Sequence, residues 1–250
     1  MGTNSNNRRL ALLIDGDNAQ ASLVGEIVTE AGKYGSVTIR RIYGDWTTAN
    51  MSGWKDSLQT HAIQPIQQFR NTIGKNATDS AMIIDAMDIL HSENVDGFCL
   101  VSSDSDYTRL ATRIREQGVF VMGVGRRQTP RAFISACDVF IFTENLSEAP
   151  VEKPASDLTL PPRLTGLLPI LRQACEMASQ EDGWAALGGV GNYLRRLDAS
   201  FDARTYGFTH LSDLIKAFDP QVEIRQVPNP GGLGNALYIR FREDNPPKER

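Results

Sequence analysis

The sequence predicts a three-layer α/β domain built on a central parallel sheet, followed by a small winged helix-turn-helix module. Three observations lead there. Between Leu10 and Asn145, short runs rich in Val, Ile and Phe alternate with longer helical patterns, the mark of repeated strand–helix–strand units. A stretch with four prolines and no usable period, 147–162, then interrupts the chain. Three helical patterns and two strand-like runs follow it, the element order of a winged helix. At 250 residues the chain has length for two domains. Its 41% hydrophobic, 22% charged and 8% aromatic content suits a buried core and excludes global disorder or a fibre.

In order, strands are expected at 10–14, 37–43, 63–69, 98–102, 119–124 and 139–142, with helices near 19–33, 52–61, 78–93, 105–117 and 130–136. Beyond the linker, helices are expected at 163–178, 184–197 and 208–218, and strands at 222–227 and 237–241, joined by the turn-forming segment 228–235. The expected organisation is therefore a domain over 1–146, a linker over 147–162, a second domain over 163–242 and a tail over 243–250.

Charge narrows the function. The 26 basic and 30 acidic residues leave a net −4, so no bulk positive field draws the chain to polyanions. Up to Pro162 there are 15 basic and 19 acidic residues; the remainder balances at 11 and 11. No apolar run approaches the ~18 residues of a membrane helix, Leu10–Ile14 is too short for an export signal, and position 6 is Asn where myristoylation wants Ser or Thr. A cytoplasmic protein without membrane contact is expected. Cys99, Cys137 and Cys175 show no metal or disulfide spacing and read as buried thiols, and His61, His91 and His210 have no ligand spacing either.

The acids carry the chemistry. In a parallel sheet all carboxyl ends of the strands share one edge, where ligands sit. Asp15 and Asp17 follow the first strand; Ser103, Asp104 and Asp106 follow the fourth. One such cluster by itself is explained by helix capping; two on one edge imply a cation that neutralises them. Asp79 opens the apolar stripe Met82, Ile83, Ala86, Ile89 and Leu90 of its helix, so it is aimed at the sheet, while Asp85 and Asp88 fall on a more solvated face. An all-carboxylate set without His or Cys suits Mg²⁺ or Mn²⁺ rather than zinc. Asn18, Asp45, Ser103, Arg70, Arg126, Arg127 and Arg131 belong to the same edge, and Lys75 is an ion-pair partner for Asp79 or a phosphate contact.

Leu-Leu-Ile-Asp-Gly-Asp-Asn-Ala at 12–19, Lys75 with Thr78-Asp79 and the Asp85 helix, and Val-Ser-Ser-Asp-Ser-Asp-Tyr at 101–107 together resemble the NYN domain, the PIN-like nuclease family that includes the LabA-like bacterial proteins. The resemblance implies a PIN-like fold that cuts single-stranded RNA with Mg²⁺ or Mn²⁺. It implies Asp15, Asp79, Asp104 and Asp106 as the acidic metal site, with Asn18 and Ser103 as polar helpers. Asp182-Gly183-Trp184 through Gly188, Asn192 through Arg196, and Tyr206 through Leu214 resemble the OST-HTH (LOTUS) domain, which implies RNA binding or protein contacts. There Leu211, Leu214, Ile215 and Phe218 form a core stripe, and Arg195, Arg196, Arg204 and Lys216 are candidates for a phosphate-contacting face. Two rival readings stand beside the nuclease. Asp15-Gly-Asp17 also resembles the Asp-x-Asp of haloacid-dehalogenase phosphatases, although Asn18 and Ala19 follow where that family has Thr or Val. The other rival is an RNA-binding regulatory scaffold that does not cut.

Overall fold

Six of the seven residues of β1, Arg9–Asp15, are buried. Such a run is apolar on both faces, and it must lie in the middle of a sheet covered on both sides. A computed structural model describes residues 8–69, 77–92, 94–147, 162–219, 221–228 and 235–242. The chain divides into two compact units, Met1–Glu148 and Ala149–Arg250. Apart from Ser147 and Pro162, the proline-rich stretch lies outside the described residues, as do the turn 229–234 and the tail after Arg242.

In the first unit β1 is followed by β2 (Ser36–Gly44), β3 (Gln64–Gln67), β4 (Gly97–Val101), β5 (Phe120–Gly125) and β6 (Val139–Phe142). They form one sheet in the order β3-β2-β1-β4-β5-β6, with every neighbouring pair parallel. The chain winds outward from β1 in one direction, then returns to its other side with β4 and winds outward again. The junction of β1 and β4 is thus the point where the winding reverses, and helices on opposite faces diverge there to leave a crevice.

The alternation of side chains along the strands sorts the core into two layers. Ala11 and Leu13 of β1 and Phe98 and Leu100 of β4 pack with α3 (Ala77–His91), α4 (Thr108–Glu116) and α5 (Arg131–Ala136), through Met82, Ala86, Leu110, Ile114 and Phe133. Leu12, Ile14, Cys99 and Val101 point the other way, toward α1 (Val24–Gly32), whose Val24, Ile27 and Ala31 are buried, and toward Leu58 of α2 (Lys55–His61). By the same alternation Asp15 and Ser102, which end this pair of strands, fall on the α3 side. The register, with Ile14 opposite Val101, puts them side by side.

The expected first helix starts later than its pattern, as a 3-10 turn at Ala21–Leu23 that runs into α1. The ends of β4 and β5 pack tightly: a Cβ on Gly125 would come within 2.5 Å of the Ser102 carbonyl oxygen. Only glycine lets the end of β5 lie that close to the end of β4.

The second unit contains α6 (Pro162–Thr165), α7 (Leu168–Ala178), β7 (Ala185–Ala186), α8 (Leu187–Leu197), α9 (Leu211–Lys216), β8 (Val222–Pro228) and β9 (Asn235–Phe241). Its antiparallel sheet runs β7-β9-β8. Leu171, Leu194, Leu214, Phe218 and Ile239 are fully buried in one core joining helices and sheet. Two expectations change here. The helix read at 163–178 is split between α6 and α7 at Gly166-Leu167, with Pro169 in the first turn of α7, where its missing N–H costs nothing. The helix read from Trp184 begins only at Leu187, because Ala185 and Ala186 pair with Ile239 and Tyr238. No helix among the described residues is long and apolar enough to cross a membrane.

Candidate functional site

Asp15 is the last residue of β1 and has no exposed surface. A buried carboxylate is tolerated only when its oxygens are satisfied. Here Asn18 Nδ2 donates to Oδ2 at 2.7 Å, Ser102 Oγ donates to the same oxygen at 2.9 Å, and the Asp17 N–H donates to Oδ1 at 3.1 Å. Burial pushes the Asp15 carboxyl above its usual range, and these three hydrogen bonds pull it back. Ser102 Oγ also accepts the Asp104 N–H at 3.1 Å, so one hydroxyl ties the ends of β1 and β4 together.

Asp104 begins a 3-10 turn, Ser105–Tyr107, as its cap: its Oδ1 accepts the Asp106 N–H at 3.0 Å. That turn brings Asp106 back beside Asp104 and drives the Tyr107 ring into the core. The phenol then donates to Oδ1 of Asp79, in the first turn of α3, at 2.8 Å. Carboxylate oxygens of Asp79, Asp104 and Asp106 all lie within 4.8 Å of one another. Burial raises the Asp79 carboxyl, the Tyr107 hydrogen bond opposes the rise, and the negative charges of Asp15, Asp104 and Asp106 add to it. Burial, the charges of Asp15, Asp79 and Asp104 and the hydrogen bond to Asp79 hold the Tyr107 phenol far above its ordinary range, so it stays a donor.

Three oxygen donors crowded to this degree, with no His or Cys among them, are the donor set of a hard divalent cation, and such an ion would relieve the repulsion that raises Asp79. Asp15 stands next to this group rather than in it. Its charge reaches Asp79 and Tyr107, but its oxygens are held by Asn18, Ser102 and the Asp17 backbone.

Other residues of the edge have different places. Ser103, expected as a helper of the acids, turns to the next loop, where its Oγ accepts the Arg126 N–H at 2.9 Å; Ser102 holds the acids instead. Strand alternation was the signal for that choice. Asn18, Ser103 and Arg126 line one small cleft with Gln20 and Thr143. Asp45 is buried and its Oδ1 accepts from Thr47 and Gln67, a turn-forming role. Asp85 is not on a solvated face: it pairs with Arg41 Nη1 at 2.5 Å and accepts from the Tyr43 hydroxyl, which docks α3 onto β2. Arg126, Arg127 and Arg131 are exposed, and the Arg127 N–H is bound to Glu144. Arg70 and Lys75 lie outside the described residues.

In the second unit Arg195 and Arg196 are exposed at the end of α8. Arg204 is clamped on Asp202 at 2.6 Å, and Lys216 is paired with Asp213 at 2.9 Å.

The NYN domain matches residues 9–147, a span holding every acid of the site. The chain belongs to the NYN domain family. The NYN domain is a nuclease-type, PIN-like fold, and its acids meet where its sheet reverses winding. After the NYN domain, the OST-HTH/LOTUS domain, an RNA-binding module, matches residues 163–233. No curated protein matches the chain. Among solved structures, a Vibrio parahaemolyticus protein of unknown function is 20% identical over 56% of this chain and 94% of its own, with a TM-score of 0.47. An uncharacterized Nitrosomonas europaea protein is 35% identical over 39% of this chain and 89% of its own, at a TM-score of 0.29. A Chromobacterium violaceum fragment is 35% identical over 31% of this chain and 82% of its own, at 0.27.

Proposed function

We propose that the chain is a divalent-metal-dependent ribonuclease that hydrolyses phosphodiester bonds in single-stranded RNA, its second domain binding the RNA or a protein partner. The observation that carries this reading is the meeting of Asp79, Asp104 and Asp106 oxygens within 4.8 Å at the carboxyl edge of an NYN sheet.

These three side chains would hold the ion, with Asp15 directly behind them. Mg²⁺ or Mn²⁺ in such a place supplies an activated water and a counter-charge for phosphate oxygens. The chain's own residues do the positioning. Tyr107 fixes the Asp79 carboxylate, Ser102 sets the distance between the β1 and β4 ends, and Asn18 holds Asp15 in one rotamer. Arg126, Arg127 and Arg131, with Arg70 and Lys75, are assigned to the phosphates on either side of the bond to be cut, because an acidic site repels RNA unless nearby cations guide it. Asp15 has no exposed surface and both of its oxygens are occupied, which is unsuited to attack on a phosphoester and counts against a phosphatase with an aspartyl-phosphate intermediate.

The test is Asp104→Asn, assayed on labelled single-stranded RNA with Mn²⁺. Cleavage is expected to fall by at least about 100-fold, beyond the 10–100-fold typical of residues that only support a metal ligand, with fold and RNA affinity kept. Undiminished cleavage would place the activity elsewhere. A wild-type chain that binds RNA and never cuts it would leave a binding scaffold.

A further inference from the structure

The small sheet of the second unit has one side on its core, through Val222 and Ile239, and a second side that carries the alternate residues. On that side Glu223 lies opposite Arg240 and Arg225 opposite Tyr238, while Ala186 of β7 flanks Tyr238 from the other direction. Trp184 directly precedes β7 and gathers the basic groups: the guanidinium carbons of Arg240 and Arg225 lie 4.8 and 5.5 Å from the centroid of its ring. Arg240 also bonds Glu223 at 2.8 Å. Arg225 has no carboxylate partner among the described residues.

Charge separates this surface from the helical one. Residues 195–219 contain Arg195, Arg196, Arg204 and Lys216, and against them Asp198, Asp202, Asp213 and Asp219, so the helical side cancels. Residues 222–242 contain Arg225, Arg240 and Arg242 against one acid, Glu223, which pairs with Arg240 and Arg242; Arg242 also reaches Asp219 at 3.6 Å. In a chain of net −4 this surface keeps a local basic excess centred on Arg225, whose guanidinium lies over the Trp184 ring and which stands opposite Tyr238 in the sheet.

We infer that the outer face of the β8–β9 hairpin, centred on Arg225, Arg240 and Trp184, is the surface on which the second unit takes single-stranded RNA. Guanidiniums stacked on an indole have lost side-chain freedom before a ligand arrives, and their N–H edges are left to bind phosphate. Unpaired bases, unlike those of a duplex, offer π-faces to the neighbouring aromatics. The inference rests on the proposed reading of the chain as a protein that acts on RNA, and it moves the phosphate contacts from the α8–α9 side to the hairpin.

The test uses the full chain in EDTA, so that RNA stays intact, with a fluorescein-labelled single-stranded 20-mer read by anisotropy at several salt concentrations. Arg225→Ala is expected to weaken binding roughly fivefold to tenfold and to reduce the salt slope by about 0.7, the loss of one phosphate contact on a single strand. Arg225→Lys is expected to keep the slope and lose part of the affinity. The double variant Arg195→Ala/Arg196→Ala is expected to bind within about twofold of wild type, as surface changes away from the contact do. Wild-type binding by Arg225→Ala, or a large loss in the double variant instead, overturns the inference. So does equal affinity for a duplex of the same length. The nuclease reading is judged separately, by the Mn²⁺-dependent rate at saturating RNA: a chain that never cuts but loses RNA with Arg225→Ala keeps the hairpin surface and loses the enzyme.

Discussion

Asp79 shows what the acid site costs the fold. A carboxyl whose folded pKa lies above its unfolded value holds its proton more tightly when folded, so its contribution to stability is present at low pH and is lost as pH rises from about the reference 3.8 through the folded value. Asp15 is raised in the same sense. The metal-free protein is therefore expected to lose stability with rising pH across this window, and added Mn²⁺ to restore it. Asp79→Asn keeps an oxygen for Tyr107 while removing the charge. It is expected to raise the metal-free Tm by about 2–4 °C, the shift of a ~1 kcal/mol change at this size, while abolishing cleavage. Calorimetry in EDTA at pH 7 checks it, and a lower Tm would show that the acids are not repelling one another. Much of the site was legible at this scale, because strand-end acids and a helix-opening aspartate are sequence patterns. Two partners were not. Asp85 reads as a surface acid until β2 brings Arg41 and Tyr43 against it, and the bond from Tyr107 to Asp79 has no sequence signal because a phenol's partner depends on where a distant helix starts.

At the scale of elements, the carboxyl edge depends on how closely neighbouring strands approach. Gly125→Ala puts a Cβ within 2.5 Å of the Ser102 carbonyl oxygen and 2.8 Å of Thr129 Oγ1. Backbone cannot retreat as a side chain can, so the variant is expected to cost about 1–3 kcal/mol and to displace Ser102, weakening Mn²⁺ binding as well as lowering Tm. Isothermal titration with Mn²⁺ beside a thermal melt checks both; an unchanged Mn²⁺ affinity at lowered Tm would detach Ser102 from the site. β1, β4 and β5 were readable because apolar runs such as Leu10–Ile14 and Phe98–Val101 are buried on both faces and so are continuous, whereas β3 at the sheet edge is mostly exposed. β7 was not, since two alanines carry no strand signal and become a strand only by pairing with β9. The 3-10 turn Ala203–Tyr206 escaped for a similar reason: it is one turn, started by Asp202, whose side chain accepts the Arg204 N–H.

For the whole molecule, each unit has a hydrophobic core of its own, and the acidic excess belongs to the part before Pro162. Removing residues after Ser147 is therefore expected to leave a folded first unit that cleaves saturating RNA near the full rate while its apparent affinity falls about tenfold or more, as expected when one of two linked binding modules is lost. Steady-state kinetics on both lengths check this, and an equal fall in kcat would make the second unit part of the catalytic site. The hydroxyl of Ser102, which joins the ends of two strands 87 residues apart, bears on how the protein is made. While a ribosome is still synthesising the chain, Asp15 and Asp79 emerge well before Asp104 and Asp106. Until β4 has slotted in beside β1, Asp79 has no acidic neighbours from the 3-10 turn, so on the proposed reading the nascent polypeptide would have no complete cradle for an ion and could not cut its own messenger.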